Sequence, residues 1–231
     1  MSELPLLRSQ SSDLPKVLPF YVVCDASTSM RGEPIHTVNS ELREVHRLLS
    51  ADPLLNDLCR IAVITFSSEV TEVVPLSRLS SIEIFPQITA QGQTRLGRLF
   101  REFSDILSRD FARLRSEGRT ILRPVMFLIT DGRPTDAWRR SLAAFVDRTT
   151  NPSSPNIIAF GVGKANEGVI STIGKQRAMM ARTSESVPAA LRAVIKSLTQ
   201  TIIGSARDPQ LRLQLPPETS DLRIVMKSES R

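Results

Sequence analysis

Residues 17–29 read Val-Leu-Pro-Phe-Tyr-Val-Val-Cys-Asp-Ala-Ser-Thr-Ser, and the fold prediction starts from them. The first eight are apolar and rich in β-branched and aromatic side chains, which is typical of a buried strand. The run ends at Asp25, and Ser27 and Ser29 follow at alternate positions. Pro34 then indicates the first turn of a helix. Open α/β sheets build binding sites from this order of strand, polar loop and helix, at the carboxyl edge of the sheet.

The rest of the chain alternates between apolar runs and amphipathic segments. The buried-strand pattern recurs at 60–66, 123–130 and 156–162, with helical spacing of apolar residues between the strands. The segment 71–76 follows the second strand after a short turn, so we expect it to pair antiparallel at an edge, where Pro75 is tolerated. We therefore predict an α/β fold: a doubly wound, mostly parallel sheet with one antiparallel edge strand and helices on both faces.

Weakly patterned segments flank the predicted folded part. Residues 1–15 are interrupted by Ser and Pro, and residues 205–231 are interrupted by Pro and mixed in charge. We expect a flexible N-terminal arm over 1–15, one domain over 16–204 and a loosely ordered C-terminal tail over 205–231. A chain of 231 residues is long enough for one such domain with a large core.

Composition narrows the class of protein. Hydrophobic residues make up 41% of the chain and charged residues 23%, which is ordinary for a soluble globular domain. The net charge of +6 comes from scattered arginines, and one Trp and one Tyr offer few platforms for base stacking, so nucleic acid is not the expected partner. Cys24 and Cys59 lie in predicted strands, where we expect reduced, buried thiols. No stretch approaches membrane-spanning length and the N-terminus has no signal-peptide pattern, so we expect a cytoplasmic protein without a membrane partner.

Polar side chains of three separate segments converge at the carboxyl edge of the predicted sheet. Asp25, Ser27 and Ser29 follow the first strand, Thr94 precedes a long amphipathic helix, and Asp131 follows the strand that ends at position 130. These residues supply carboxylate and hydroxyl oxygens only, which suits Mg²⁺, Mn²⁺ or Ca²⁺ better than Zn²⁺. We predict a divalent cation site at these residues, with Mg²⁺ as the first choice and Mn²⁺ or Ca²⁺ as the others.

The predicted site has at most two negative charges, so a divalent cation would keep open positions and uncompensated positive charge. We expect a partner protein to supply an Asp or Glu carboxylate to the metal. Arg31, Arg95 and Arg133 closely follow three of the ligand segments. We expect these arginines to form a basic rim that speeds the encounter with an acidic partner and makes it sensitive to salt.

Other chemistries use parts of this pattern. An Asp after an apolar strand is also the nucleophile of haloacid-dehalogenase-type enzymes, so a Mg-dependent phosphatase or phosphotransferase using Asp25 stands as the alternative. That chemistry requires a second acid two residues later, where this chain has Ser27. No nucleophile elbow frames the Ser, His and Asp residues that a hydrolase would need. We therefore predict no catalytic residue and no enzymatic activity, and interpret Asp136 as the N-cap of the following helix.

The candidate ligands resemble a known motif. Asp25-x-Ser27-x-Ser29, Thr94 in Gly-Gln-Thr-Arg-Leu-Gly, and Thr-Asp131-Gly are similar to the metal-ion-dependent adhesion site (MIDAS) of von Willebrand factor A (VWA) domains. The resemblance implies a Rossmann-like fold and a module that binds proteins through a metal. It also implies that the three hydroxyls contact the cation directly or nearly so, whereas the two carboxylates act partly through bound water.

The resemblance extends over roughly residues 16–203, and two segments narrow it. Residues 30–35 and 128–136 resemble the stand-alone VWA proteins of bacterial tellurium-resistance systems. This branch implies an adaptor in a stress response, with a Ser/Thr kinase or a phosphatase as partner. The family usually has Gly between the two serines, where this chain has Thr28. If that position required a positive φ, Thr28 would cost about 1–2 kcal/mol.

Overall fold

A computed structural model of the chain describes residues 14–50, 53–174, 177–183, 185–207 and 217–226. Strands and helices alternate along these residues as the sequence predicts. The elements are β1 (Lys16–Asp25), α1 (Glu33–Ser50), α2 (Pro53–Leu58), β2 (Cys59–Phe66), β3 (Val70–Ser77), α3 (Leu96–Ser116), β4 (Thr120–Ile121), β5 (Val125–Thr130), α4 (Arg139–Val146), β6 (Asn156–Gly161), α5 (Glu167–Ile173), β7 (Arg177–Ala181), α6 (Val187–Arg207) and β8 (Leu222–Met226). Short 3₁₀ turns cover Thr28–Met30 and Leu79–Ser81.

The strands form one mixed sheet in the order β3-β2-β1-β5-β6-β7-β8, and the short β4 pairs with the start of β1. The strands from β2 to β7 along this order are parallel, whereas β3 pairs antiparallel with β2 and β8 pairs antiparallel with β7. The predicted antiparallel edge at 71–76 is therefore confirmed by β3. The prediction of only one such edge is wrong, because β8 forms a second.

Strand β8 lies in the segment 205–231, for which the sequence predicts a loosely ordered tail. Its Leu222 is fully buried against the core that contains α1 and α6. A five-residue strand that follows a Pro-interrupted stretch has too weak a pattern to predict, and its pairing with β7 is a tertiary contact. Helix α6 also continues beyond residue 204, to Arg207. The predicted arm over 1–15 lies outside the described residues except for its last two positions.

Two hydrophobic cores lie on opposite faces of the sheet. Alternate residues of β1 such as Phe20 and Val22 point toward α1 and α6, while Tyr21 and Val23 point toward α3, α4 and α5. This alternation follows from the two-residue period of a strand, and it buries β1 on both faces. Helices on both faces are thus confirmed. No helix of the described ranges is long and apolar enough to cross a bilayer.

The centre of the sheet has the geometry that creates a binding crevice. Strand β1 pairs with β2 on one side and with β5 on the other. The chain runs outward from β1 to β2 and β3, and then returns to the opposite side of β1 through α3 to form β5. The loops that leave β1 and β5 consequently diverge, and open α/β sheets bind their ligands in the crevice between such loops. The predicted metal ligands lie at this point.

Candidate metal centre

Asp25 is the last residue of β1 and its side chain is fully buried. Its Oδ1 accepts a hydrogen bond from the backbone N–H of Ser27 at 2.8 Å, and its Oδ2 accepts one from the hydroxyl of Thr130 at 2.6 Å. Burial raises the pKa of Asp25 to about 6, against the hydrogen bonds from Ser27 and Thr130, and the charge of Asp131 adds to the rise. The carboxylate is held rigidly by the two strands that flank the crevice.

The two serines lie side by side in the turn after β1. Their Oγ atoms are 3.0 Å apart, with Ser27 buried and Ser29 exposed. Met30 anchors this turn because its side chain is fully buried in the core that contains α1. The backbone N–H of Thr28 donates to the carbonyl of Gly92 at 3.0 Å and ties the turn to the loop before Thr94. Two hydroxyl oxygens therefore lie next to each other on an anchored turn.

The Thr28 position carries no backbone strain. No non-glycine residue of the described ranges has a positive φ, and Thr28 opens the 3₁₀ turn with an exposed side chain. Thr28 therefore avoids the strain of about 1–2 kcal/mol that a β-branched residue has in the left-handed region. The absence of Gly between the serines does not distort the loop.

Thr94 is buried at the entrance to α3 and is tied to the loop that follows Asp131. Its carbonyl accepts a hydrogen bond from the backbone N–H of Thr135 at 2.8 Å and another from the Thr135 hydroxyl at 3.2 Å. The two loops thus form one unit, although they lie some forty residues apart in sequence.

Asp136 strengthens the same connection, and here the sequence prediction is wrong. Its Oδ1 accepts from the backbone N–H of Gly97 at 3.0 Å and its Oδ2 from that of Arg98 at 3.1 Å. Asp136 therefore caps α3, whereas Trp138 occupies the N-cap position of α4. Local spacing suggested the nearer helix, but the free N–H groups at the start of α3 are brought closer by the fold.

Asp131 follows β5 and is almost completely buried. Its Oδ1 is the one buried side-chain oxygen or nitrogen that has no hydrogen-bond partner in the part of the chain described. A buried carboxylate oxygen without a partner is costly, and it is the kind of atom that a cation satisfies. The described residues contain no cluster of three or more His, Cys, Asp or Glu, so hydroxyl oxygens would have to complete any coordination shell here. The donor set fits a hard divalent cation.

The structure places Asp25, Ser27 and Ser29 at the end of β1 and in the loop that follows it, and Asp131 in the loop that follows β5. Thr94 lies before α3, in a segment hydrogen-bonded to both of these loops. One further residue was not predicted from the sequence. Thr130 is fully buried and bonded both to Asp25 and to the backbone N–H of Gly132. Its only sequence signal was a hydroxyl at the end of an apolar strand. Arg31, Arg95 and Arg133, the predicted basic rim, all have exposed side chains.

Comparison with known proteins identifies a family that matches the chain. The family described as von Willebrand factor type A domain matches residues 20–197. No curated protein matches the sequence significantly. A von Willebrand factor type A protein from Catenulispora acidiphila superimposes with a TM-score of 0.62 at 17% identity, over 82% of this chain and 43% of that chain.

Two further solved structures share the fold. Proximal thread matrix protein 1 from the mussel byssus, with a zinc-occupied MIDAS motif, has a TM-score of 0.53 at 18% identity, over 79% of this chain and 46% of that chain. The conserved hypothetical protein BatB from Bacteroides thetaiotaomicron has a TM-score of 0.54 at 16% identity, over 82% of this chain and 98% of that chain. This chain spans less than half of the Catenulispora and mussel proteins, and at these identities the similarity shows the fold alone.

Proposed function

The chain belongs to the von Willebrand factor type A domain family, and from this we propose that it is a metal-dependent protein-binding module without enzymatic activity. Modules of this family often depend on a metal and mediate protein–protein interaction. The observation that carries the proposal is the buried, unpartnered Oδ1 of Asp131, on the loop that follows β5.

The proposed cation site is of the MIDAS type. Ser27, Ser29 and Thr94 would hold the cation through their hydroxyl oxygens, and Asp25 and Asp131 through their carboxylates, partly by way of bound water. Asp25 also positions the loop, because its carboxylate holds the backbone N–H of Ser27. A bound cation would supply a Lewis-acidic position open to an outside oxygen ligand. Mg²⁺ is the proposed metal, with Mn²⁺ and Ca²⁺ next, because every donor is an oxygen.

The proposed partner is a protein that presents an Asp or Glu carboxylate. Two carboxylates and three neutral hydroxyls leave a divalent cation with open positions, and an incoming carboxylate gains a direct bond together with charge compensation. The exposed Arg31, Arg95 and Arg133 would attract an acidic surface toward this face. On its sequence resemblance alone, we propose that the chain acts as an adaptor in a bacterial stress-response system of the tellurium-resistance type, with a kinase or phosphatase as partner.

The geometry of Asp25 supports a binding role over a phosphoryl-transfer role. A nucleophilic carboxylate needs an oxygen free to attack, whereas both oxygens of Asp25 are engaged, one by Ser27 and one by Thr130. We expect no phosphate release from an aryl phosphate in the presence of Mg²⁺. Turnover that disappears in Asp25→Asn would instead identify a Mg-dependent phosphatase or phosphotransferase.

The deciding experiment compares metal binding and stability in one substitution. Asp131→Asn keeps the size of the side chain but removes the charge, so we expect it to abolish Mg²⁺ and Mn²⁺ binding in calorimetric titration. Without metal this variant should be at least as stable as the parent, because it removes a negative charge near Asp25. Asp105→Asn, an exposed position on α3, is the matched control and should bind the metal normally. Unchanged binding in Asp131→Asn would overturn the site.

A second experiment tests the partner. The purified chain is used to capture proteins from a native bacterial lysate with Mg²⁺ and again with EDTA. Capture of a protein that requires Mg²⁺ and is lost in Asp131→Asn supports the proposal. If the captured protein remains bound in EDTA and to the variant, it docks elsewhere on the surface.

A further inference from the structure

A cavity of about 470 Å³ lies at the amino-terminal end of the parallel strands, opposite to the candidate metal centre. Residues of the last turns of α3, of β4 and of the segments that lead into β5 and β6 line it. We call it the basic cavity, because Arg115, Arg119 and Arg123 contribute to its wall and no acidic side chain does. Its volume is in the range of small-molecule sites.

Within the described ranges, the arginines of the basic cavity are not neutralised by direct ion pairs. Among the described residues none of the three forms an ion pair, although other arginines of α3, such as Arg98 and Arg109, do. Arg123 donates to the carbonyl of Ser154 at 2.8 Å, which holds its guanidinium at the cavity wall without neutralising it.

More positive charge lies close by. Burial and then the charge of Arg148 lower the pKa of Arg123. Burial and then the charges of Arg78 and Arg119 lower the pKa of Arg60 in the same way, with Glu117 acting in the opposite direction. Positive groups that are close enough to repel one another, beside a cavity without acidic residues, favour an anionic ligand.

Apart from Ser153, the rest of the wall is formed by apolar residues. Phe111, Ile121, Leu122, Pro124 and Pro152 contribute most of it, and the guanidinium of Arg115 lies 5.8 Å from the centre of the Phe111 ring. A bare anion would leave these side chains facing water. A ligand that carries both an anionic group and an apolar or planar group matches the whole wall.

We propose that the basic cavity binds a small phosphomonoester attached to an apolar or planar group. Several guanidinium groups suit a phosphate better than a carboxylate, because the phosphate carries up to two charges and accepts paired hydrogen bonds from Arg. The site is independent of the metal centre, so either assignment stands if the other fails. The planar group could belong to a free nucleotide or to a phosphorylated tyrosine, and both carry the same phosphate chemistry.

The test uses the full chain at low ionic strength and titrates it calorimetrically with phenyl phosphate, inorganic phosphate and benzoate. We expect saturable binding of phenyl phosphate, about tenfold tighter than that of benzoate, which has the same ring and one charge. Inorganic phosphate should bind more weakly than phenyl phosphate because it leaves the apolar wall uncovered. Adenosine monophosphate and phosphotyrosine are titrated in the same way, and the one that binds more tightly identifies the source of the ligand.

The variants separate a site from general charge. Arg119→Gln with Arg123→Gln should weaken phenyl phosphate binding at least about tenfold. Arg43→Gln with Arg140→Gln removes the same charge from exposed positions elsewhere and should leave binding within about twofold. If the first pair unfolds the chain, the exposed Arg115→Gln replaces it and should still weaken binding. Equal binding of benzoate, equal losses in the two double variants, or no saturable binding would each overturn the proposal.

Discussion

Thr130 at the end of β5 donates its hydroxyl to Oδ2 of Asp25 at the end of β1, across a distance of 2.6 Å. The same Thr130 oxygen accepts a hydrogen bond from the backbone N–H of Gly132 at 2.9 Å. One buried side chain thus joins the carboxylate that begins the first ligand loop to the backbone on either side of Asp131. The ends of two neighbouring strands, together with the first residues of the loops, therefore help to place the two candidate carboxylates.

Replacing Thr130 by Val removes this connection at nearly constant volume. The substitution leaves Asp25 Oδ2 and the Gly132 N–H buried without their partner, so we expect a loss of about 1–3 kcal/mol in the free energy of unfolding without metal. Metal affinity should also fall, because the two ligand loops lose their common anchor. Urea unfolding in EDTA and calorimetric Mg²⁺ titration measure the two effects. Thr130→Ser keeps the hydroxyl and should retain most of the stability and most of the metal affinity. A Val variant as stable as the parent would contradict this role.

The buried Asp25 predicts how the stability of the metal-free protein depends on pH. Its pKa rises from the ordinary 3.8 to about 6 in the folded chain, chiefly through burial. Between these two values the folded state binds more protons than the unfolded state, so stability falls as pH increases from about 4 to about 6. The contribution is on the order of 3 kcal/mol.

Thermal or urea unfolding in EDTA across this pH range measures the effect. Asp25→Asn has no titrating group at this position, and we expect its stability to change much less over the same window. With Mg²⁺ present, stability should instead rise with pH, because protons compete with the cation for the carboxylate. Parallel pH profiles for the parent and Asp25→Asn would contradict the assignment of this titration to Asp25.

Removing the Asp136 carboxylate should loosen the connection between the loop that follows β5 and the start of α3. Asp136→Ala leaves the N–H groups of Gly97 and Arg98 without their cap, at an expected cost of about 0.5–2 kcal/mol. Because Thr94 and Asp131 lie in the two loops that Asp136 joins, we also expect weaker Mg²⁺ binding. Asp136→Asn keeps one acceptor oxygen, so its stability and its Mg²⁺ affinity should lie between those of the parent and of Asp136→Ala. Normal metal affinity in the Ala variant would show that the cap only stabilises α3.

Gly97 should be intolerant of a substitution that usually helps a helix. Replacing Gly by Ala inside a helix commonly stabilises it by about 0.5–1 kcal/mol. At Gly97 the added Cβ would lie 2.9 Å from Asp136 Oδ2 and 2.9 Å from the carbonyl oxygen of Ala137. We therefore expect Gly97→Ala to destabilise the chain and to weaken the cap. Thermal unfolding of this variant and of the double variant with Asp136→Ala would show whether the clash with the carboxylate is the cause.

Much of the fold could be predicted because its signals are local. The apolar run before Asp25 is long enough to indicate a strand buried on both faces, and the short turn before β3 leaves room only for antiparallel pairing. The order of strand, polar loop and helix also predicted where the candidate ligands would lie, since the carboxyl ends of parallel strands share one edge. These inferences need only the period of a pattern and the length of a connection.

Three features depended on contacts between distant parts of the chain. Strand β8 exists because residues 222–226 find the free edge of β7, and a five-residue pattern cannot indicate that pairing. Asp136 caps α3 because the fold brings the helix start within hydrogen-bond distance, although α4 is nearer in sequence. The unpartnered oxygen of Asp131 is visible only when every neighbouring atom has been placed. The amino-acid sequence determined the element types and the identity of the oxygen donors, because both follow from local chemistry. The tertiary structure decided which groups each donor meets, because burial and hydrogen-bond partners are properties of the packed chain.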